Sequence, residues 1–207
     1  MHFNITRYTD NDRDLVPHWI GRCHLDACKP HIFSCEKTEN TYKFKGCLAA
    51  NCLMPAAYFD IMYEVSGNVL TAKAYGNFSY AGFGPTESYV DKHIACEYGY
   101  YVSSARENYD REYIRPQESG SHYACKYMAV KDLFKVTAEQ PFSFSVNPYT
   151  TKQLCETLHS FDLEENDFVN VCIDLAMRGV GSHSCGPELP EEYEIPKTYK
   201  NTFKFTF

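Results

Sequence analysis

The sequence predicts an all-β protein, an antiparallel β-sandwich with one short helix. Aromatic side chains make up 15% of the 207 residues, and most of them are Tyr (17) or Phe (14). Several short segments alternate between apolar and polar positions, and turn-forming residues separate these segments. Aromatic, alternating segments are typical of pleated, half-buried strands. A chain of this length can bury a core without disulfide or metal staples.

The opening segment, residues 6–30, is polar and is expected to be irregular. A turn is predicted at Asp10, Asn11 and Asp12, because short Asx side chains hydrogen-bond to their own backbone. Trp19, the one tryptophan of the chain, is expected to anchor this segment to the core.

Strands are predicted from residue 32 onward. Residues 66–68, Ser-Gly-Asn, are a hairpin signal between two β-rich runs. The expected strands are 41–44, 58–65, 69–75, 123–130, 142–146, 168–175 and 201–207.

A single short helix is predicted after the fifth of these strands. Thr150 and Gln153 fit a capping box, in which each side chain satisfies a free amide of the first turn. Leu154, Leu158 and Phe161 are expected to form the apolar side of this helix.

Three loops are candidates for function, because rigid scaffolds display binding groups on loops. Residues 80–85, with Gly84 and Pro85, predict a bent strand end that backbone or ligand can approach closely. Residues 114–122 form a polar loop. The densest loop signal is 179–187, whose defining residues are Gly179, Gly181, Ser182, His183, Ser184, Cys185 and Pro187.

Composition excludes several classes of function. Acidic residues outnumber basic ones 27 to 20, and no Lys/Arg cluster offers a basic face to nucleic acid. No apolar run approaches the roughly 18 residues that a membrane helix needs. No glycine-rich phosphate loop precedes a helix. No signal peptide opens the chain, so a soluble, cytoplasmic protein is expected.

The ten cysteines allow two alternatives to plain thiols. Their even number permits five disulfides. A zinc site is also conceivable, but its spacing is loose for paired ligands; the candidates are Cys23, His24, Cys28, His31 and Cys35. Reduced cytosolic thiols are favoured, because Cys125 and Cys172 lie in strand-like apolar runs. No metal site is therefore predicted.

Candidate chemistry in the loops is limited. Cys185 could act as a nucleophile with His183 as its base, but no third, orienting group can be named. A wall that faces a ligand is the stronger hypothesis for 182–185. The carboxylates Glu87, Asp91, Glu107, Asp110, Glu112 and Glu118 qualify for glycoside hydrolysis only by residue type.

Four motifs, in order, resemble the C-terminal domain of the β-galactosidases of glycoside hydrolase family 2, the small-chain domain. The first is YTDNDR at 8–13, followed by Trp19. The second is YAGFGPTESYVD at 80–91, with Gly84, Pro85, Glu87 and Tyr89. The third, 113–127, contains Pro116, Gln117 and Glu118. The fourth is the stretch 142–207, so the resemblance spans nearly the whole chain.

The resemblance implies a large two-sheet antiparallel sandwich, or supersandwich, related to galactose mutarotase. It places the catalytic glutamates, magnesium and sodium in a TIM-barrel domain that this chain lacks. It therefore implies no cofactor and no catalytic residue in this chain. The implied partners are the barrel domain or large subunit, the galactoside at a shared site, and a second copy in a homo-oligomer.

Two departures from the family's pattern accompany the resemblance. Some members carry a tryptophan that stacks on the sugar where this sequence has Cys185, so sugar lining by 182–185 is a hypothesis. The family has an additional pair of strands between Asn77 and Tyr80, where the connection here is almost direct. Either the domain, residues 1–207, is a trimmed variant, or residues have been lost from it.

The leading hypothesis is a non-catalytic domain or small subunit of a β-galactosidase that completes the active-site wall. The alternative is a free-standing carbohydrate-binding module, which needs an exposed aromatic platform. An aldose epimerase is a third hypothesis, for which His93, His122 and His183 are available but lie in no recognisable motif.

Overall fold

A computed structural model describes residues 2–6, 28–38, 41–50, 60–65, 77–110, 112–117, 119–176, 190–193 and 198–206. These ranges contain ten strands: β1 His2–Thr6, β2 Cys28–Thr38, β3 Thr41–Ala50, β4 Asp60–Val65, β5 Phe78–Gly84, β6 Glu97–Ser103, β7 Ser121–Val130, β8 Phe134–Asn147, β9 Asn170–Ala176 and β10 Thr198–Thr206. They also contain the helices α1 Ala105–Asn108 and α2 Thr151–Glu156, and 3-10 turns at Ser160–Asp162 and Glu191–Tyr193.

Every strand pairing in these ranges is antiparallel, which confirms the all-β antiparallel prediction. One run of strands has the order β1-β4-β9-β8-β10-β3-β2. On its other edge β8 pairs with β7, which leads through β5 to β6. Strand β8 therefore joins all parts of the sheet.

The 14-residue strand β8 serves two neighbours on one edge. Residues 143–147 pair with β9, whereas 135–138 pair with β10. Against β7 the register jumps between the pairs Cys125–Phe142 and Tyr127–Thr137. Extra residues in one strand bend it, and the insertion includes Pro141, which has no N–H to donate. The irregularity thus lies where β8 passes from one neighbour to the other.

The core lies under β5, β7, β8 and β9. Phe78, Tyr80, Met128, Phe144 and Ile173 are fully buried there, and the ring of Phe78 meets that of Phe144 edge-to-face at 5.7 Å. Residues 142–146 alternate as predicted, and the serines between the apolar positions are buried as well. Both faces of this part of β8 are therefore covered.

The two cysteines placed in strands by sequence are found there. Cys125 in β7 and Cys172 in β9 are buried thiols, and Cys96 is also a free thiol. The burial of Cys125 and Cys172 confirms that these two side chains act as small apolar residues.

Several expected boundaries are wrong. Residues 28–30 begin β2 although 6–30 was expected to be irregular, and residues 121–122 begin β7 rather than ending a loop. Strand β6 was not predicted, because its neighbouring tyrosines hide any alternation and its outer positions are exposed. The one-turn helix α1, capped by Ser104, is additional to the one predicted helix.

The predicted helix is present but shorter than its apolar pattern. The capping box is confirmed: the Gln153 N–H donates to Thr150 Oγ1 at 3.2 Å, and Thr150 N–H donates to Gln153 Oε1 at 2.9 Å. The chain becomes extended at Thr157. Leu154 is buried, but Leu158 and Phe161 lie beyond the end of the helix and are 61% and 84% exposed, so their assignment to its apolar side is wrong.

Strand β4 confirms the first strand of the predicted hairpin. Its turn at 66–68 and return strand 69–75 lie outside the described residues. In the described ranges, no helix is long and apolar enough to cross a membrane.

Candidate functional site

The described part of the chain contains only some of the predicted site residues. Gly84, Pro85, Glu87, Tyr89, Pro116 and Gln117 are described. The roles of the others stay predictions, since they lie outside the described residues: Asp10, Asn11, Asp12, Trp19, Glu118, Gly179, Gly181, Ser182, His183, Ser184, Cys185 and Pro187.

The second and third motifs meet at the carboxylate of Glu87, in a cluster that we name the Glu87 junction. Tyr113 donates its hydroxyl proton to Glu87 Oε1 at 3.0 Å, and the Gly120 N–H donates to Oε2 at 3.0 Å. Lys92 forms an ion pair with Oε1, and the Tyr89 hydroxyl lies 3.4 Å from Oε2. One side chain of the GPTES segment therefore holds the loop that precedes β7.

The backbone around Glu87 is held by its neighbour Ser88. Ser88 is buried, its N–H donates to the Ser121 carbonyl at 2.7 Å, and its hydroxyl donates to the Phe83 carbonyl at 3.0 Å. The Tyr123 N–H donates back to that hydroxyl at 2.9 Å. Sequence reasoning missed Ser88, because a serine beside a charged motif carries no signal of its own.

The charge of Glu87 acts on the pKa values of two of its partners, Lys92 and Tyr113. Burial acts to lower the pKa of Lys92, but the hydrogen bond and charge of Glu87 outweigh it, and the pKa is raised. Burial, followed by the charge of Glu87, raises the pKa of Tyr113, so its hydroxyl remains a donor. Both oxygens of Glu87 are thus occupied within the protein, as in a structural carboxylate and unlike a general acid or base.

Beside the junction, a buried histidine connects α1 to β7. His122 Nε2–H donates to Asn108 Oδ1 at 2.7 Å, and Nδ1 lies 3.4 Å from the Phe83 carbonyl. Asn108 in turn donates to the carbonyls of Gly120 and Val146 at 2.7 and 3.1 Å. Burial lowers the pKa of His122 to about 4, so the ring is neutral near pH 7. Both ring nitrogens face protein acceptors, which leaves neither for an epimerase substrate.

Two glycines of the motifs are required by close contacts. A Cβ at Gly84 would lie 2.1 Å from the Tyr80 hydroxyl oxygen. Gly120 has φ +73°, and a Cβ there would lie 2.4 Å from the Asn108 carbonyl oxygen. These glycines serve packing of the motifs against the core, since no larger residue fits either position.

A cleft with a volume of about 740 Å³ is lined in part by Tyr113, and we name it the aromatic cleft. Its volume is within the range of small-molecule pockets. One wall is formed by Tyr109 and residues 112–114, and the other by residues 159–165. Its lining residues are Tyr109, Glu112, Tyr113, Ile114, Tyr149, His159, Ser160, Phe161, Leu163 and Glu165.

The two walls of the aromatic cleft are bonded to each other. The hydroxyl of Ser160 donates to the Tyr113 carbonyl, and the Ser160 N–H donates to the Ile114 carbonyl at 3.3 Å. Below them Tyr109 and Tyr149 meet edge-to-face at 4.9 Å in a small apolar cluster with Leu154. The cleft is therefore preformed. The sequence did not predict the cleft, because Phe161 was assigned to the apolar side of the helix.

The zinc alternative does not fit the backbone. Cys28, His31 and Cys35 follow one another along β2, and seven residues of strand span about 23 Å. Ligands of one zinc ion lie within about 2.3 Å of the metal, so Cys28 and Cys35 cannot share it. Among the described residues, no group of three or more His, Cys, Asp or Glu side chains could hold a metal ion.

A family model described as Beta galactosidase small chain matches residues 1–207, the whole chain. The chain belongs to the β-galactosidase small-chain family. Proteins named Beta-galactosidase resemble it: that of Actinobacillus pleuropneumoniae is 45% identical over 136 residues, and that of Staphylococcus xylosus is 40% identical over 217. The Kluyveromyces lactis protein is 31% identical over 137 residues.

The small-chain family match is complete, but the relatives are much longer. The matches cover 66%, 90% and 64% of this chain, and only 13%, 22% and 13% of the three relatives in the same order. The chain therefore spans about a fifth or less of the curated relatives that it matches.

Proposed function

We propose that this chain is the non-catalytic small-chain domain or subunit of a β-galactosidase, which as a whole hydrolyses terminal β-D-galactosides. One observation carries the proposal: the small-chain family model matches all 207 residues, whereas the aligned region is no more than 22% of the length of the three relatives named Beta-galactosidase. A barrel-bearing domain or large subunit supplies the catalytic carboxylates.

The geometry of the described residues favours a structural role over a catalytic one. Glu87 is bound by four donors, and the pKa of His122 is held far below that of a free histidine by burial. A glycoside hydrolase needs a pair of carboxylates that faces the glycosidic bond. In this proposal the magnesium and sodium of the complete enzyme belong to the barrel.

The loop 179–187 is the part of this chain that reaches the galactoside. Along the sequence it follows β9, which ends at Ala176, after two intervening residues. In the proposal Ser182, His183, Ser184 and Cys185 orient sugar hydroxyls by hydrogen bonds, without an aromatic platform.

Two further features belong to the proposal. The alignment with the Staphylococcus xylosus protein spans 217 residues although this chain has 207, so the relative contains additional residues within the aligned region. In the proposal such residues form a strand pair that is missing here between Asn77 and Tyr80. A cytoplasmic location agrees with the free thiols of Cys96, Cys125 and Cys172.

The test is complementation of a large fragment, made by deleting from the Staphylococcus xylosus β-galactosidase the region that aligns with this chain. Hydrolysis of a chromogenic β-galactoside is measured for the chain, for the fragment and for their mixture. We expect activity in the mixture alone. The relative's own deleted region, added in trans, is the positive control.

The other outcomes contradict the proposal in different ways. Activity of the chain by itself would place two catalytic carboxylates within these 207 residues. If the mixture does not hydrolyse the substrate while the positive control does, the complementing role is rejected. Binding of galactosides by the chain in that case would favour the carbohydrate-binding module.

A further inference from the structure

We propose that the aromatic cleft is the surface on which the barrel-bearing part of the enzyme docks. The proposed occupant is a segment of that polypeptide that inserts an apolar side chain beside a basic one. This inference rests on the proposed function and adds to it the location and chemistry of the contact.

Exposed apolar side chains mark the cleft. Ile114 on one wall is 87% exposed and Phe161 on the other is 84% exposed, and Leu158, on the same loop as Phe161, is 61% exposed. Ile114 and Phe161 line the same cleft, and large apolar side chains exposed together are typical of an interaction site. Phe161 stacks on His159 at 5.1 Å with the ring planes 4° apart, so the two rings form one flat wall.

The cleft needs little rearrangement to receive a partner. Ser160 bonds one wall to the other through the carbonyls of Tyr113 and Ile114. Asn166 donates to the Pro148 carbonyl at 3.0 Å and to Gln153 Oε1 at 2.7 Å, which holds the far end of the second wall against α2. A preformed surface loses less conformational entropy on association than a loose one.

The charges of the cleft favour a basic partner. Its lining contains Glu112 and Glu165 and, among the described residues, neither lysine nor arginine. Glu165 is already paired with Arg106 at 2.6 Å, whereas the exposed Glu112 carboxylate is available to an incoming cation. The chain as a whole carries a net charge of −7, so a positively charged segment is attracted to it.

The size of the relatives identifies where that segment comes from. This chain corresponds to 13% of the Actinobacillus pleuropneumoniae relative and 22% of the Staphylococcus xylosus relative, so more than three quarters of each is polypeptide outside it. A small-chain domain must contact that remainder to work with it. Buried aromatic anchors in preformed pockets carry most of the binding energy of such contacts.

A second exposed apolar surface, on β6, fits this role less well. Tyr100 and Val102 are each 81% exposed there, but the surface is a sheet face rather than a cleft. Lysines already cover its aromatic rings: Lys126 lies 5.9 Å from the ring of Tyr98, and Lys135 lies 5.1 Å from that of Tyr127. Both lysines belong to neighbouring strands, Lys126 to β7 and Lys135 to β8. This face therefore supplies the matched control.

The experiment titrates the chain into the same large fragment at fixed concentration and measures the half-maximal concentration for restored hydrolysis. We expect Phe161→Ser and Ile114→Ser to raise that concentration about tenfold or more, and Glu112→Gln about threefold. The controls Tyr100→Ser and Val102→Ser should stay within about twofold. Urea unfolding and circular dichroism verify that each exposed-site variant is folded.

Each outcome separates the cleft from the proposed function. A silent wild-type chain beside an active positive control rejects the proposed function, and the docking inference falls with it. An active wild-type chain with equally active Phe161→Ser and Ile114→Ser variants rejects the docking inference alone. If these variants lose binding of lactose, or self-association in sedimentation, while complementing normally, the cleft holds a sugar or a second copy and the inference is overturned.

Discussion

The Glu87 junction and the aromatic cleft share Tyr113 and differ in whether their groups are satisfied within the chain. In the junction, four donors surround one carboxylate whose side chain is 10% exposed. In the cleft, Ile114 and Phe161 are almost fully exposed on bonded walls. The difference indicates that some motif residues, such as Glu87, hold the fold together, whereas others, such as Ile114 and Phe161, present surface to a partner.

Tyr113 connects the two regions. Its hydroxyl is held by Glu87, and its carbonyl accepts from Ser160 on the opposite wall of the cleft. A conformationally fixed carboxylate therefore sets the position of a wall that a partner would contact. Positioning of a surface through a second layer of hydrogen bonds is what a precise binding site requires.

The contrast between the two regions would be wrong if the Glu87 junction did not stabilise the fold. The substitution Glu87→Ala tests this, and it has the largest expected effect on the free energy of unfolding. The change leaves the Tyr113 hydroxyl and the Gly120 N–H without their acceptor and removes the partner of Lys92. Orphaned donors cost about 1–3 kcal/mol each, so we expect the free energy of unfolding to fall by about 3 kcal/mol. Urea unfolding of the 207-residue chain measures it.

The matched control is Glu97→Ala, at the exposed start of β6. A surface carboxylate of this kind should change the free energy of unfolding by about 0.5 kcal/mol or less. Equal, small losses for both variants would show that the junction contributes nothing beyond an ordinary surface charge.

The sequence predicted the strand core well and the cleft not at all. Alternation placed β7, β9 and the end of β8, because side chains of a half-buried strand must alternate. The capping box of α2 was visible because it is local, within four residues. Phe161 was misplaced because its i, i+7 spacing from Leu154 is helical, whereas the backbone leaves the helix at Thr157.

The junction was half visible from the sequence. Glu87 was singled out within a motif, but its partners Tyr113 and Gly120 lie 26 and 33 residues away along the chain. The meeting of the two segments depends on the pairing of β5 with β7, which local pattern does not encode. Asn108, in a helix of one turn, gave no signal for its contact with His122.

A pH titration sharpens the comparison, because His122 is buried beside the junction. Its pKa is about 4 when folded, against an ordinary value of 6.5. Between these values the unfolded chain binds a proton that the folded chain excludes, so stability falls as pH drops below about 6.5. We expect the wild-type chain to lose about 2 kcal/mol from pH 7 to 5 relative to His122→Gln.

The measurement is the free energy of unfolding by urea at half-unit steps from pH 7 to 4, for both proteins. The difference between the two curves isolates His122 from the other titrating groups. Parallel curves would mean that the pKa of His122 is the same in the folded and unfolded chains, and the description of His122 as a buried, neutral ring near pH 5 would be wrong.

The smallest expected change in the free energy of unfolding comes from Tyr80. Its side chain lies next to the motif glycine Gly84. Its hydroxyl is buried and has no hydrogen-bond partner among the described residues, and it occupies the space that a Gly84 side chain would need. Removing an unsatisfied buried hydroxyl relieves its desolvation penalty, so Tyr80→Phe should raise the free energy of unfolding by about 1 kcal/mol. The same change should make Gly84→Ala less damaging, because the 2.1 Å contact disappears. A loss of stability in Tyr80→Phe, with no rescue of Gly84→Ala, would mean that the hydroxyl is bonded and that Gly84 is required for another reason.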